Sequence, residues 1–584
     1  MDVSLTPGRE APAGQLISPN DSVQVRVRFL SQCCFKLALR LKDIALPARL
    51  RFLPRPRISS EWLSFLVSAY LLLFMNVTFW KKSVTYLSGE NFALVCLAIG
   101  LFAGFLAILV TFSAKYVIKP FLIFMILSAT ASAWFMDHFG VVIDSEMIRN
   151  AAETTGPEAS HLITPSFLLH VALFGLLPSL LVIWVEVKHR TLWRKVLRNL
   201  AVILPSVLVL GGAGFTNGGT FIFNIREHRD WFRSLNPIFP IGAALSYGVK
   251  STEEINIKAE PIGLDAKVTD AFVPGARKPR VTIIVVGETA RAQNFQLGGY
   301  ERETNPELSK RDIFYFKGTS SCGTATAVSV PCMFSRYTRS QYSHTKALAT
   351  ENLVDVLGHA GVRTEWWDNN TGDKNVADRI GSQDFFKMKD PRYCTNGECL
   401  DEIMLDKVDG WLDGVKGDSV LVLHTLGNHG PAYYARYRDA FRKFTPDCQT
   451  VEFKDCTPET ITNAYDNALV YTDFILSSVI DKLKSRDATI DASMIYMSDH
   501  GESLGENGLY LHGTPYLFAP SQQTHIPFVL WLGSAAKAAI DATCLSEKTS
   551  EPASHDNLFH TVHVQTEVRD PALDIVTACK SAAS

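Results

Sequence analysis

Met494-Ile-Tyr-Met-Ser-Asp-His-Gly-Glu-Ser503 is the stretch on which the fold turns. An apolar, strand-like run stops abruptly at Asp499 and His500. In open α/β sheets, ligands and reactants sit just beyond the carboxyl ends of strands. A carboxylate and an imidazole delivered there together suit a divalent metal such as zinc. One Asp-His pair alone reads as an ordinary surface loop. Here the pattern recurs. Residues 281–286 (VTIIVV) run into Gly287-Glu288-Thr289, and residues 420–423 run into His424-Thr-Leu-Gly-Asn-His429. Three strand-like runs that deliver metal-type ligands at the same end point to a metal site at one edge of a sheet.

The chain has 584 residues and a formal net charge of -2, so no global basic field suggests nucleic acid as a partner. Its apolar content is uneven. Runs at 62–80, 92–112, 117–135, 167–185 and 200–215 are long enough, or nearly so, to cross a bilayer, which takes roughly 20 apolar residues. The last is the shortest and holds Pro205 and several glycines. Loop charges orient the spans. The N-terminal stretch carries Arg26, Arg28, Lys36, Arg40, Lys42 and further arginines to Arg57. Lys115 and Lys119 join the second and third runs, and Lys188 to Arg198 join the fourth and fifth. These belong on the cytoplasmic side. The acid-rich loop 137–161 falls opposite, with Lys81 and Lys82 as a small exception. Everything after residue 220 then lies outside, which in a bacterial inner membrane means the periplasm.

The cysteines agree with that side. Among the eleven, Cys322 with Cys332, Cys394 with Cys399, and Cys448 with Cys456 form close pairs. Short loops closed by cysteine pairs suit an oxidising compartment. Cys544 and Cys579 remain open, and Cys33, Cys34 and Cys96 read as free thiols.

The organisation expected is a basic cytoplasmic tail (1–57), a five-span domain (58–217), a membrane-surface connector (218–279) and an α/β catalytic domain (280–584). The tail lacks the apolar region and cleavage site of a signal peptide. Residues 26–46 mix apolar and basic side chains as an amphipathic helix on the inner leaflet would. Strand-like runs after 280 alternate with helix-like segments at 350–360 and 466–483, the pattern of a sheet with helices on both faces.

Residues 321–334 are rich in hydroxyls. A hydroxyl near a helix N-terminus meets free backbone N–H groups and the positive end of the helix dipole, a setting that binds phosphate. A metal on that hydroxyl eases loss of its proton and makes it a nucleophile. Thr324, Thr326 and Ser329 are the candidates, and residue chemistry does not choose among them.

Five segments carry a family resemblance: Val286-Gly-Glu-Thr-Ala-Arg-Ala-Gln-Asn-Phe295, Gly299-Tyr-Glu-Arg-Glu-Thr-Asn-Pro306, Cys322-Gly-Thr-Ala-Thr-Ala-Val-Ser-Val-Pro-Cys-Met-Phe334, Gly427-Asn-His-Gly-Pro-Ala-Tyr-Tyr434 and Ser498-Asp-His-Gly-Glu-Ser-Leu-Gly-Glu-Asn507. The chain resembles the lipid A phosphoethanolamine transferases of Gram-negative bacteria, which include the mobile colistin-resistance enzymes, from about residue 60 to 565. The resemblance implies a sulfatase/alkaline-phosphatase-like α/β soluble domain on a five-helix transmembrane bundle. It implies Thr326 as nucleophile and Glu288, Thr326, Asp499 and His500 as ligands of one tight zinc site, with room for a second zinc near His429 and His512. It places His429, His512 and Lys374 around the phosphoryl group, and Asn150, Thr154 and Glu158 around the ethanolamine head group. Their spacing of four sets the last three on one helix face, although Pro157 marks a helix end or kink.

The implied reaction is ping-pong, with phosphatidylethanolamine as donor, a phosphoethanolamine-threonine intermediate, and lipid A or the lipopolysaccharide core as acceptor. Capping a lipid A phosphate this way would weaken binding of cationic peptides such as polymyxin. Two other readings compete. A membrane-anchored glycerol-phosphate transferase or phosphodiesterase would share the architecture, but the Gly-Glu-Thr-Ala-Arg-Ala and Gly-Asn-His-Gly-Pro-Ala-Tyr-Tyr segments argue against it. A non-enzymatic sensor would carry a degraded ligand set, and this one is intact. Ser329-Val-Pro331 faintly resembles a sulfatase signature, yet Cys332-Met333 stands where Ser-Arg is needed.

Overall fold

The computed structural model describes residues 55–268, 272–562 and 564–580. The amphipathic segment expected at 26–46 lies outside them.

Among the described residues, four helices are long and apolar enough to cross a membrane: Asn91–Thr111, Ile118–Phe139, Pro165–Trp184 and Leu192–Thr216. The first apolar run is not one helix. It forms α1 (Ser60–Phe74) and α2 (Val77–Tyr86), bent by 65° at the break. The cause is Asn76, which sits at the break and is buried. Its amide nitrogen donates to Leu71 O at 3.0 Å and Asn236 O at 2.7 Å. Asn236 donates from its backbone to Asn76 Oδ1 at 2.8 Å, and from its side chain to Met75 O and Ala129 O. The other side of the break is served by Asp137, which accepts from Thr78 N and Thr78 Oγ1. A helix end inside a bilayer is tolerated only where its freed backbone groups find such partners. Beyond the bend, Lys82 pairs with Asp230 at 2.7 Å, so one of the two lysines that depart from the charge bias is neutralised locally.

The remaining spans are α3 (Asn91–Thr111), α4 (Ile118–Phe139), then after two short helices α7 (Pro165–Trp184), and α8 (Leu192–Thr216). The short ones are α5 (Ser145–Glu153) and α6 (Gly156–Leu162). α8 leans on α3 where glycines allow it: a Cβ on Gly100 would lie 3.1 Å from Ala213 Cβ. Small residues permit such close approach where no hydrophobic effect drives helices together. The connector holds helices at Gly218–Glu227, Asp230–Arg233 and Ile238–Glu254.

The soluble domain is built on an eight-stranded sheet. Its strands are β1 (Arg280–Gly287), β2 (Ile313–Ser320), β3 (Arg363–Asp368), β4 (Gly381–Asp384), β5 (Ser419–His424), β6 (Asp491–Ser498), β7 (His525–Leu532) and β8 (Pro552–Ser554). Their order is β8-β2-β7-β6-β1-β5-β3-β4. β7 alone runs against the rest. Alternate residues feed two cores. Ile283, Val285, Leu421 and Leu423 face the long helix Pro458–Lys484, while Ile284, Val286, Val420 and Val422 face the layer holding Leu353–His359. Burial on both faces is why these strands read as continuous apolar runs. Because β1, β2, β3, β5 and β6 are parallel, their carboxyl ends share one edge. Disulfides join Cys322–Cys332, Cys394–Cys399, Cys448–Cys456 and Cys544–Cys579, the last pair spanning 35 residues of sequence.

Candidate active site at the carboxyl edge of the sheet

Glu288 follows β1 directly, and Asp499 and His500 follow β6. β1 and β6 are paired in register, Ser498 opposite Gly287, so the three side chains emerge side by side. All are buried. Among the described residues, they form the one group of three carboxylate, imidazole or thiol ligands whose atoms lie within 4.8 Å of one another. Their hydrogen bonds leave one ligand atom free on each. Asp499 Oδ1 accepts from Thr289 N and His500 N, while Oδ2 has no partner. Glu288 Oε2 accepts from Thr326 and Asn370, while Oε1 has none. His500 Nδ1 donates to Gly501 O at 2.9 Å, which leaves the Nε2 lone pair facing Asp499 Oδ2 at 3.3 Å and Glu288 Oε1 at 3.6 Å. Buried polar atoms without partners are costly, and the two carboxylate oxygens that lack one, converging with the His500 Nε2 lone pair, suit a cation.

The electrostatics point the same way. Burial, then the charge of Glu288, pushes the Asp499 carboxyl far above its usual range. Burial also opposes ionisation of Glu288, but the surrounding imidazoles, His429 first, hold it down near 2. Left to themselves, the two carboxylates hold one negative charge between them, and a divalent cation is what lets both ionise. Burial pushes His500 down to about 3, so its imidazole is neutral, as a ligand must be.

Thr326 is the first residue of the helix Thr326–Met333. Its hydroxyl donates to Glu288 Oε2 at 3.0 Å and lies 3.4 Å from His500 Nε2. The geometry separates the three hydroxyl candidates. Thr324 Oγ1 donates to Thr514 O, and Ser329 Oγ accepts from Gly323 N inside the turn. Both serve the loop, and Thr326 alone faces the carboxylates. The loop is braced by His555, whose Nδ1 accepts from Cys322 N at 3.0 Å while Nε2 donates to Ser498 O at 2.8 Å. Gly427, at φ +51, brings the loop after β5 against β1: a Cβ there would lie 2.8 Å from Glu288 O.

That loop carries His429. Its Nε2 lies 3.2 Å from Glu158 Oε1, and against the effect of burial, Glu158 raises its pKa to about 9. His512 Nδ1 donates to Glu502 Oε2 at 2.8 Å, and Glu502 also accepts from Tyr433. The His512 ring centroid is 4.5 Å from that of His500 and 5.5 Å from that of His429. Lys374 stands apart from this cluster, paired with Glu153 at 3.2 Å and bonded to Thr371 O.

Asn150, Thr154 and Glu158 do not share a helix face. α5 ends at Glu153, Thr154 is extended, and α6 starts anew with Pro157 in its first turn and Glu158 in its capping box. Pro157 was the sequence signal for this break. The turn nevertheless brings all three to the wall of one cavity of about 640 Å³. Its other walls are mostly apolar, from Phe124 and Phe135 of α4 to Ile241 and Leu245 of the connector, and His429 and His512 also line it.

Sequence reasoning passed over Asp368, Asn370 and Glu502. Asn370 lies two residues past β3, where the same strand-end argument applies, and Glu502 sits inside the quoted Asp-His-Gly-Glu motif.

Comparison with known proteins agrees with this architecture. Residues 280–567 match the sulfatase family, and residues 101–252 match the family described as phosphoethanolamine transferase EptA/EptB. The chain is 39% identical to phosphoethanolamine transferase EptA of Escherichia coli K12, over 91% of this chain and 99% of that protein. It is 38% identical to phosphatidylethanolamine transferase Mcr-1 of Escherichia coli, over 80% of this chain and 88% of that protein. The solved integral membrane lipooligosaccharide phosphoethanolamine transferase A (EptA) of Neisseria meningitidis superposes with a TM-score of 0.86 at 36% identity, covering 90% of this chain and 100% of that one. The chain is thus a membrane enzyme with a sulfatase-like soluble domain, and it belongs to the phosphoethanolamine transferase family.

Proposed function

We propose that the chain transfers phosphoethanolamine from phosphatidylethanolamine to lipid A or the lipopolysaccharide core, through a covalent intermediate on Thr326. One observation carries the reading. The cavity between the membrane helices and the soluble domain is lined mostly by apolar side chains, and its ionisable groups, Glu158, His429 and His512, meet where His512 lies near His500. That profile fits a lipid whose head group lies at the reacting end.

Thr326 Oγ attacks the donor phosphorus while its proton passes to Glu288 Oε2, 3.0 Å away. The bond from phosphorus to the diacylglycerol oxygen breaks, and that oxygen takes the proton from Glu288, so diacylglycerol leaves as the alcohol. An oxygen of the acceptor, a phosphate monoanion or a hydroxyl, then attacks the same phosphorus, and the proton it loses passes through Glu288 to the departing threonine oxygen. Glu288, Asp499, His500 and Thr326 would hold zinc, which when bound supplies a Lewis acid that lowers the threonine hydroxyl's pKa. Their mixed oxygen and nitrogen donors suit that ion. His429, protonated beside Glu158, and His512, oriented by Glu502, supply positive charge and hydrogen bonds to the phosphoryl oxygens. They are also the residues that would hold a second zinc. Lys374, paired with Glu153 at the end of α5, does not line the cavity. The ammonium of the head group goes to Glu158, with Asn150 and Thr154 on the same wall. Four disulfides and the basic loops support a periplasmic catalytic domain on a bacterial inner membrane.

Intact mass after incubation with phosphatidylethanolamine, beside Thr326→Ala, tests this. The expected result is a phosphoethanolamine adduct on the wild type alone. Release of diacylglycerol without an adduct would replace the reading with direct phosphodiester hydrolysis. Unchanged polymyxin susceptibility in cells making active enzyme would remove lipid A as acceptor.

A further inference from the structure

His424, singled out beside His429 in the sequence, lies behind the reactive cluster. β3 and β5 pair in parallel with His424 opposite Asp368, and both side chains are buried. His424 Nδ1 is 2.7 Å from Asp368 Oδ2. Asp368 is itself fixed: Oδ1 accepts from Asn370 N and Gly372 N, and Oδ2 also accepts from Trp366 Nε1. A carboxylate at Nδ1 makes that nitrogen the donor and leaves a lone pair on Nε2. The lone pair faces Asn370 Nδ2 at 3.2 Å. The same amide nitrogen lies 2.6 Å from Glu288 Oε2 and 3.0 Å from Thr425 O.

Three acceptors therefore surround one NH2 group. Turned over, the Asn370 amide would set its oxygen against a carboxylate, a carbonyl and a lone pair. Its oxygen as placed has no partner in the buried site, so nothing on that side fixes the orientation. The acceptors do. We infer that Asp368 and His424 are positioning residues for the transfer: they set the tautomer that keeps an Asn370 N–H on Glu288 Oε2. That oxygen also takes the Thr326 hydroxyl, and with it occupied, Oε1 is the atom left for a metal. The inference rests on the reading of Glu288 as a zinc ligand and proton acceptor.

The test measures zinc affinity of the purified full chain by chelator competition, without substrate, beside donor KM and kcat. His424→Leu removes the acceptor and is expected to weaken zinc about 10-fold or more, the range for lost outer partners of a ligand. It lowers kcat while donor KM stays within about two-fold, the split of a group that acts in the transition state. His424→Gln, which can present an oxygen near the place of Nε2, is expected to stay within about three-fold of wild type, as ordinary context-dependence allows. Asp368→Asn should weaken zinc like His424→Leu, and the double variant should be no worse than either, because without the imidazole there is no tautomer to set. Equal affinity in the Leu and Gln variants, or additive losses in the double variant, would overturn the inference. If Asp368→Asn does not fold, the Leu and Gln pair decides. Failure of the functional reading looks different: the wild type itself would take up no zinc, and both readings would fall.

Discussion

At the sheet edge, Glu288, Asp499 and His500 stand where the paired backbones of β1 and β6 put them. Across the cavity, Asn150 and Glu158 stand on two short helices without one fully buried residue, and Thr154 stands in the turn between them. That side is held by ion pairs reaching over to the soluble domain: Glu158 with His429, Glu153 with Lys374, and His161 with Glu398. Backbone register cannot be exchanged for anything else. Ion pairs can, because an incoming ammonium or phosphate offers the same charges. On the proposed reading, the reacting atoms are thus fixed and the head-group wall is exchangeable, a division that suits an enzyme that must admit a donor lipid and release another product.

The sharpest break in that comparison comes from Thr326→Ala. The hydroxyl contacts Glu288 and His500 and nothing in its own loop, so the loss of stability should stay near the ~1 kcal/mol of one hydrogen bond, while transfer falls roughly 10⁴-fold or more if Thr326 is the nucleophile. Measured turnover beside a melting curve checks it. A large loss of stability would mean that Thr326 also holds the edge together.

The next effect concerns the brace. Burial pushes His555 down from 6.5 to about 4. Its folded pKa lies below the unfolded value, so the unfolded chain binds the extra proton between them. The contribution to stability is complete above about pH 6.5 and is lost as pH falls to about 4, amounting to up to ~3 kcal/mol. His555→Gln should flatten that limb. Melting temperatures of the full chain in detergent between pH 4 and 7, compared with wild type, measure the difference. Identical slopes would show that the imidazole is not what responds to acid.

Glu158→Gln tests the exchangeable wall. A hydrogen bond to a charged group is worth about 1.5–3 kcal/mol. Donor KM should therefore rise on the order of 10-fold or more, with a smaller fall in kcat because His429 loses the carboxylate that raises its pKa. A collapse in kcat with unchanged KM would place Glu158 among the reacting groups and erase the distinction between the two sides.

The same distinction explains what was legible in the sequence. A buried strand followed at once by Glu288, or by Asp499-His500, carries its own signature, because register converts sequence position into spatial position. Hydropathy found the spans for the same reason: composition over a window is what a bilayer reads. It missed the break at Asn76, since one polar residue barely changes a window, and its partner Asn236 is far away in sequence. Cys544 and Cys579 gave no local spacing to read. Asn150, Thr154 and Glu158 were found through resemblance, and the one-face argument failed at extended Thr154. Thr326 was distinguishable from Thr324 and Ser329 only by where each hydroxyl points. Asp368, His424 and Asn370 act through one another, and pairwise chemistry of that kind has no periodicity.

The smallest effect lies at the far end of the bundle. Lys119 Nζ donates to Ile183 O and Val185 O, the freed carbonyls at the end of α7. A cation on those carbonyls complements the negative end of the helix dipole and satisfies groups that water reaches poorly. Lys119→Met keeps the apolar stem and removes the donor. The expected loss is about 1 kcal/mol of stability, the ordinary worth of such a contact. It should lower the melting temperature in detergent and leave donor KM and kcat as they are, because Lys119 lies on the first turn of α4 and the cavity begins further along that helix, at Phe124. A change in KM instead would mean that the tilt of α7 sets the width of the cavity, and that the exchangeable side of the site extends through the whole membrane domain.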